Sequence, residues 1–147
     1  MHGIVAQQLK LQNIIVNLEL EENIPFILAH STRLEQVTFN LVTNAQDAIL
    51  QKTQSGLETG ASTITIRTFA ENDQVSVTVA DNGMGIPEIV QHKVFEPFFT
   101  TKEVGKGMGL GLSITYGIVK DYNGQIEIQS REGLGTTIKL TFPCADA

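Results

Sequence analysis

Alternating apolar and polar residues predict strands in several parts of the chain. Residues 14–20, IIVNLEL, place four aliphatic side chains on one face and Asn17 and Glu19 on the other. A hairpin is predicted for STITIRTF and QVSVTVA, because both runs are rich in β-branched residues and AEND between them favours a turn. A closing hairpin is predicted for QIEIQS and TTIKLTF, which REGLG joins, and PFILA at 25–29 is compatible with a short strand.

Apolar residues at three- and four-residue steps predict helices. The longest, of roughly five turns, follows a capping-box pattern at Thr32 and Glu35 and is expected to end at the polar loop 51–61. Its apolar stripe consists of Leu34, Val37, Leu41, Ala45, Ala48 and Ile49. A second helix is predicted for 110–122, before an Asn-Gly turn. Residues 4–12 look like the end of a further helix that begins upstream.

The order of these elements predicts the fold class. It runs helix, two strands, long helix, two strands, an irregular segment, helix and two strands. Because the strands have one apolar face, we expect a single domain, residues 1–147, built as a two-layer α/β sandwich. One face of the sheet would be open to water and the other covered by helices.

Composition and charge disfavour several classes of function. The chain has 147 residues, of which 41% are apolar and 18% charged, as in ordinary globular domains. No stretch approaches the ~20 apolar residues that span a bilayer, and no signal peptide is recognisable. Cys144 is the single cysteine, which excludes an internal disulfide and a cysteine-based metal cluster, so we expect a cytoplasmic protein. The net charge of −6, without a basic run, argues against a nucleic-acid partner.

Polar residues on the long helix are the first candidates for chemistry. Asn40, Asn44 and Asp47 are spaced so that all three project from one helical face. Their oxygens could bind Mg²⁺, which takes one or two such protein ligands together with nucleotide phosphates. A solvated polar face is the alternative interpretation of the same spacing.

Two glycine-containing segments are further candidates. In ADNGMGIP, residues 80–87, Asp81 follows an apolar strand and could accept the exocyclic amino group of adenine, although the same letters are typical of an ordinary turn. In GKGMGLGLS, residues 105–113, every second residue from Gly105 to Gly111 is glycine, and a helix is predicted to follow. Exposed amides at a helix N-terminus favour an anion, although a glycine-rich linker has the same composition. The segment lacks the Walker A lysine pattern and a preceding strand.

Five segments in order resemble the asparagine, first glycine, phenylalanine, second glycine and final glycine boxes of sensor histidine kinase catalytic domains. They are RLEQVTFNLVTNAQDAI, DNGMGIP, FEPFFTTK, GKGMGLGLS and GLGTTIKLTF. That family belongs to the ATPases that include gyrase, Hsp90 and MutL. The resemblance begins at about residue 5 and is strongest to the nitrogen-regulation branch. It implies a Bergerat-type fold, with a mixed, mostly antiparallel sheet covered by about three helices, and a lid, roughly 88–107, that closes over ATP.

The resemblance also implies individual roles. Asn44 would be the principal Mg²⁺ ligand, and Asn40 would support the phosphates or a water on the metal. Asp81 would bind the adenine amino group, in a pocket that Gly83 and Gly85 shape. The other implied cofactor-binding residues are Asp47, Ile86, Phe95, Thr101, Lys102, Gly107, Met108, Gly109, Leu110, Gly111 and, on the strand behind the adenine, Thr136.

Two positions bear on the type of reaction. Hydrolysing relatives carry a glutamate that activates water where this chain has Asn40, and an asparagine cannot act as a general base. Water is therefore not the expected acceptor. Other kinase branches carry an arginine where this chain has Thr100, so Lys102, or else Lys106, is the candidate cation for the γ-phosphate. A solvent-exposed lysine in the lid is the alternative.

A histidine kinase also needs an acceptor histidine on a helical dimerisation domain. His2, His30 and His92 all lack the setting expected of that residue. The chain therefore resembles an excised catalytic domain, monomeric by itself. It would serve its own dimerisation domain and, through it, a response regulator, in a homodimeric parent with or without a membrane anchor. A hydrolysing ATPase and a nucleotide-binding interaction module without turnover remain the alternatives.

Overall fold

The helices and strands come from a computed structural model, which describes residues 14–22, 31–56, 61–93 and 111–144. The elements are β1 (Ile14–Leu20), α1 (Ser31–Gln54), β2 (Ser62–Glu71), β3 (Gln74–Asp81), a 3-10 helix (Glu88–Lys93), α2 (Gly111–Asp121), β4 (Gln125–Arg131) and β5 (Gly135–Pro143). The predicted helix at 4–12 and the predicted strand at 25–29 lie outside the described residues. None of the helices in the described ranges is long and apolar enough to cross a bilayer.

The sheet is mixed and mostly antiparallel, as expected. In the described part of the chain it has the strand order β1-β2-β3-β5-β4, with β1 parallel to β2 and the other three pairs antiparallel. Both α-helices of the described ranges pack on one face of it. About three helices were predicted, and the structure describes two, because the third was assigned to residues 4–12.

The hairpin of β2 and β3 has a tighter turn than the sequence predicts. Ala70 and Glu71, read as part of the turn, continue β2 and pair with β3. Asn72 and Asp73 alone form the turn, with φ angles of 53° and 61°. Two consecutive residues with positive φ define a type I′ turn, and asparagine and aspartate tolerate this conformation better than most residues.

The core lies between α1, α2 and the inner face of the sheet. Leu41 of α1, Ile64 of β2 and Phe142 of β5 are each at most 2% exposed. Helix α1 runs to Gln54, whereas the sequence predicted a loop from residue 51. The helix continues past residue 51 because Lys52 lies on the apolar stripe, where it is buried and contacts the loop after β3.

Strand β1 differs from the expectation of a buried apolar face. Only Ile14 of this strand is buried, and Val16, Leu18 and Leu20 are 38–57% exposed. The strand forms an edge of the sheet as described, and α1 packs against β2, β3 and β5 instead. The alternation therefore identified a strand correctly without identifying which strands the helices cover.

The loop after β3 is wedged between α1 and the β4–β5 turn. A Cβ atom on Gly83 would lie 2.5 Å from the backbone carbonyl carbon of Ala48, and one on Gly85 would lie 2.0 Å from the carbonyl oxygen of Arg131. The backbone N–H of Met84 donates to the carbonyl oxygen of Ala48 at 2.9 Å. These two glycines are therefore required for close backbone packing on both sides of the loop.

Substitution of Gly85 tests this packing. Gly85→Ala should lower the free energy of unfolding by about 3 kcal/mol, because backbone strain at its φ of 74° adds to the overlap with Arg131. Gly56→Ala is the matched control, since Gly56 has a φ of 82° and no atom within 4 Å of the added Cβ. It should cost about 1 kcal/mol. Urea unfolding measures both, and equal losses would contradict the close packing.

Candidate active site

The candidate site is centred on the residue with which β3 ends. Asp81 lies opposite Ile64 of β2 and Thr136 of β5, and Thr136 lies opposite Ser130 of β4. Side chains alternate along a strand, so Asp81 projects to the same face as the core residue Val79. A carboxylate therefore stands where the apolar row of β3 would otherwise continue.

Burial disfavours the charged form of the Asp81 carboxyl group. Desolvation raises the pKa of Asp81 from 3.8 to about 6. Three groups oppose the rise: the backbone N–H of Gly83, which donates to Oδ1 at 2.8 Å, the backbone N–H of Thr136, and the positive charge of Lys52. At neutral pH the carboxyl group is therefore mostly ionised. It presents a charged hydrogen-bond acceptor at the end of β3, on the face of the sheet that carries the core.

Ser130 joins the loop after β3 to the hairpin of β4 and β5. Its Oγ accepts from the backbone N–H of Ile86 at 2.8 Å and donates to the carbonyl oxygen of Gly135 at 3.0 Å. The Thr136 hydroxyl lies 2.7 Å from the same Oγ. Gln91 Nε2 donates to the carbonyl oxygens of Ile86 and Ser130 at 2.9 and 3.1 Å. Ile86 and Thr136, both expected among the cofactor-binding residues, are thus held in one network.

The side chains of Asp81 and Asn82, at the start of the turn, bind different parts of the protein. Asp81 accepts from Gly83, as an Asx turn requires, so the turn interpretation and the ligand interpretation of this segment are compatible. Asn82 instead contacts the start of β2. Its Oδ1 accepts from the backbone N–H of Thr63 at 2.9 Å, and its Nδ2 donates to the carbonyl oxygen of Ala61 at 2.6 Å.

The polar face of α1 has an unsatisfied group. Asn40, Asn44 and Asp47 are all half-buried, and Asn40 Nδ2 donates to Thr115 Oγ1 of α2 at 3.5 Å. The Nδ2 atom of Asn44 is buried and has no hydrogen-bond partner among the described residues. A buried amide without a partner is rare, and turning the amide over would present its oxygen instead. A phosphate oxygen or a hard cation such as Mg²⁺ therefore fits the position of Asn44.

The predicted lid lies mostly outside the described residues. Its first part, Glu88–Lys93, is the 3-10 helix, and α2 begins at Gly111, within one residue of the predicted start. The expected anion site at this helix start therefore has its helix in place. The other predicted site residues of the segment fall in the range 94–110, which the structure does not describe. They are Phe95, Thr101, Lys102, Gly107, Met108, Gly109 and Leu110.

Three residues at this site were not identified from the sequence. Lys52 is buried in the last turn of α1, Thr115 contacts Asn40, and Ser130 holds the loop after β3. Signals for two of them exist in retrospect. Lys52 follows Ala48 and Ile49 on the apolar stripe, and Ser130 follows two isoleucines on the inner face of β4. Each is a polar residue at a position where the pattern requires an apolar one.

The raised pKa of Asp81 predicts how stability depends on pH. The folded state binds this proton more tightly than the unfolded chain, so the contribution to stability is lost as the pH rises from about 4 through 6. Asp81→Asn removes the buried charge and should stabilise the protein by about 2–3 kcal/mol at pH 7–8, with no difference near pH 4. Urea unfolding across this range measures it, with Asp73→Asn in the exposed hairpin turn as control. A constant difference at all pH values would contradict it.

Comparison with known families gives a consistent result. The family model of histidine kinase-, DNA gyrase B- and HSP90-like ATPases matches residues 29–146. Sensor kinase CckA of Brucella abortus is 48% identical over 117 residues, which are 76% of this chain and 12% of that protein. Sporulation kinase A of Bacillus subtilis is 34% identical over 141 residues, 96% of this chain and 22% of that protein. The chain thus spans less than a quarter of the length of either relative.

Solved structures agree with the sequence relatives. The nucleotide-free catalytic domain of histidine kinase ThkA has a TM-score of 0.78 and 33% identity, over 97% of this chain and 87% of that one. ThkA in complex with response regulator protein TrrA has a TM-score of 0.74 and 31% identity, over 98% of this chain and 38% of that one. The chain therefore belongs to the histidine kinase-, DNA gyrase B- and HSP90-like ATPase family, as a catalytic domain of the sensor histidine kinase type.

Proposed function

We propose that this domain binds Mg²⁺-ATP and donates the γ-phosphoryl group to a histidine on a dimerisation domain of its parent kinase. The observation that carries the proposal is the half-buried carboxylate of Asp81, which stands in the core row of the sheet and raises the cost of folding. A charge in this position has no role in packing. It has one in binding, because a buried charged acceptor discriminates strongly between ligands.

The ligand that best matches Asp81 is adenine. Its exocyclic amino group donates a hydrogen bond, whereas guanine has a carbonyl oxygen at the corresponding place, which the carboxylate would repel. The network of Ser130 and Thr136 beside it supports a pocket of fixed shape. We therefore expect ATP to be preferred over GTP.

The triphosphate would lie along the polar face of α1. Asn44 would hold Mg²⁺, which would neutralise phosphate charge in the reaction. No cluster of three or more acidic, histidine or cysteine side chains that could hold a metal is found in the described ranges, so the phosphates would complete the ligand set. The N-terminus of α2 would add partial positive charge, with Lys102 as the candidate cation of the lid.

Asn40 supports transfer to a protein rather than hydrolysis. In the transfer, a bond forms between the γ-phosphorus and a histidine ring nitrogen, the bond to the β-phosphate oxygen breaks, and ADP leaves while the ring loses a proton. Asn40 cannot take a proton from water, so the residue at this position does not activate the competing nucleophile. The structure of ThkA with a response regulator supports a response regulator as the next partner. We place the domain in the cytoplasm, where ATP is available.

The first test concerns the base pocket. Loss of a hydrogen bond to a charged group costs ~1.5–3 kcal/mol, so Asp81→Asn should weaken Mg²⁺-ATP binding by about ten- to hundredfold. Calorimetric titration measures it. The variant should remain folded, and Asp121→Asn on the surface of α2 should bind ATP normally. Unchanged affinity in folded Asp81→Asn protein would remove this residue from the site.

The second test concerns the reaction. With an acceptor domain supplied in trans and labelled γ-phosphate, the label should appear on histidine. Asn40→Glu restores the general base of the hydrolysing relatives and should raise the release of free phosphate, by about tenfold at the least. Asn17→Glu on the exposed strand β1 is the control. Brisk hydrolysis by the unchanged protein would contradict the role of Asn40, and ATP binding without any transfer would favour an interaction module.

A further inference from the structure

Lys52 has an environment that surface lysines do not share. It lies in the last turn of α1, and only 6% of the residue is exposed. Its Nζ donates to the backbone carbonyl oxygen of Asn82 at 3.3 Å, so the ammonium group contacts the residue that follows Asp81. Lysine is almost never buried to this degree unless its charge is compensated.

The charged and polar groups around Asp81 determine how easily its carboxyl group ionises. The backbone N–H groups of Gly83 and Thr136 favour the ionised form of Asp81, and the positive charge of Lys52 adds a smaller effect in the same direction. Among the described residues, the other charged side chains near this end of the packed elements are Asp47 of α1 and, on the β4–β5 turn, Arg131 and Glu132, both exposed. The buried cation of α1 therefore lies beside the loop that follows the half-buried anion of β3.

We propose that Lys52 is a positioning residue of the nucleotide site. It fixes the loop after β3 through Asn82 and supplies the positive charge that keeps Asp81 in the form that accepts the adenine amino group. The inference rests on the proposed function, because it assigns Lys52 to the base end of the ATP site. It also explains why a charged residue lies on the apolar stripe of α1.

The proposal predicts a specific dependence on pH. Ionised Asp81 is the stronger acceptor, so the affinity for adenosine should rise as the pH increases through about 6. Without the charge of Lys52, ionisation should require a higher pH, by about one unit. The loss of affinity should then be greatest at pH 6 and nearly absent at pH 8. The affinity for ATP should change with pH in the same direction, since ATP contains the same adenine base.

The experiment compares Lys52→Met with the unchanged chain by calorimetry at pH 6, 7 and 8. We expect adenosine and Mg²⁺-ATP to bind about fivefold more weakly to the variant at pH 6, and the two proteins to converge at pH 8. Affinity for tripolyphosphate should not change, because Lys52 serves the base end. Lys120→Met is the matched control: Lys120 also lies in the last turn of a helix but is exposed.

A second variant and a direct measurement keep the proposal testable if Lys52→Met does not fold. Lys52→Gln retains a hydrogen-bond donor toward Asn82 without the charge. Carbon-13 NMR of the Asp81 carboxyl group, assigned by its loss in Asp81→Asn, should show a midpoint about one pH unit higher in Lys52→Gln. Lys52→Arg, which keeps the charge, should restore the original midpoint.

The outcomes separate this inference from the proposed function. If the unchanged chain binds Mg²⁺-ATP but the folded Lys52 variants keep the same midpoint, Lys52 has only a structural role and the inference is wrong. A loss of tripolyphosphate binding as large as that of adenosine would place Lys52 at the phosphate end and also overturn it. If the unchanged chain binds no ATP, the proposed function itself fails.

Discussion

The carboxylate of Asp81 occupies a row of the sheet that otherwise belongs to the core, opposite Ile64, which is fully buried. A charge can remain there only if hydrogen bonds and an opposite charge replace part of the water it has lost. Gly83, Thr136 and Lys52 provide these contacts from three directions. Much of the local structure at this end of the sheet can be understood as the framework that holds them in place.

The glycines of the loop after β3 follow from the same constraint. The loop must bring its amides close to Asp81 while passing between α1 and the β4–β5 turn, and a side chain at Gly83 or Gly85 would overlap backbone on either side. Ser130 then fixes the far end of the loop at Ile86. The loop is thus held by backbone contacts with α1 and the β4–β5 hairpin, which fix its polar groups more rigidly than in an isolated loop.

Helix α1 connects the two ends of the proposed nucleotide site. It carries Asn44, whose Nδ2 has no partner in the described part of the chain, and Lys52, which contacts the loop after β3. They are eight positions apart in the helix, or about 12 Å along the axis. In the proposed site a rigid helix would set this distance, so the base and phosphate ends would be aligned before a ligand binds. Preorganisation of this kind lowers the free-energy cost of binding.

The sequence by itself determined most of the elements and the family, and it supplied the candidate chemistry of the site. The two hairpins and both described helices were predicted because their signals, alternation and three- to four-residue periodicity, are local. The five motif segments identified the family for a similar reason: their residue types, among them Asp81, Asn44 and the glycines, can be read directly from short stretches of the chain. Their spacing along the chain is sufficient to recognise them.

Only the tertiary structure decided which residues support that chemistry. Alternation could not show that β1 would lie at an edge with Val16, Leu18 and Leu20 exposed, because coverage depends on where the helices pack. Nor could it show that Lys52 would face Asp81 across 29 positions of sequence. Burial, strand order and the pairing of opposite charges arise from contacts between distant segments, and these contacts exist only once the chain has folded.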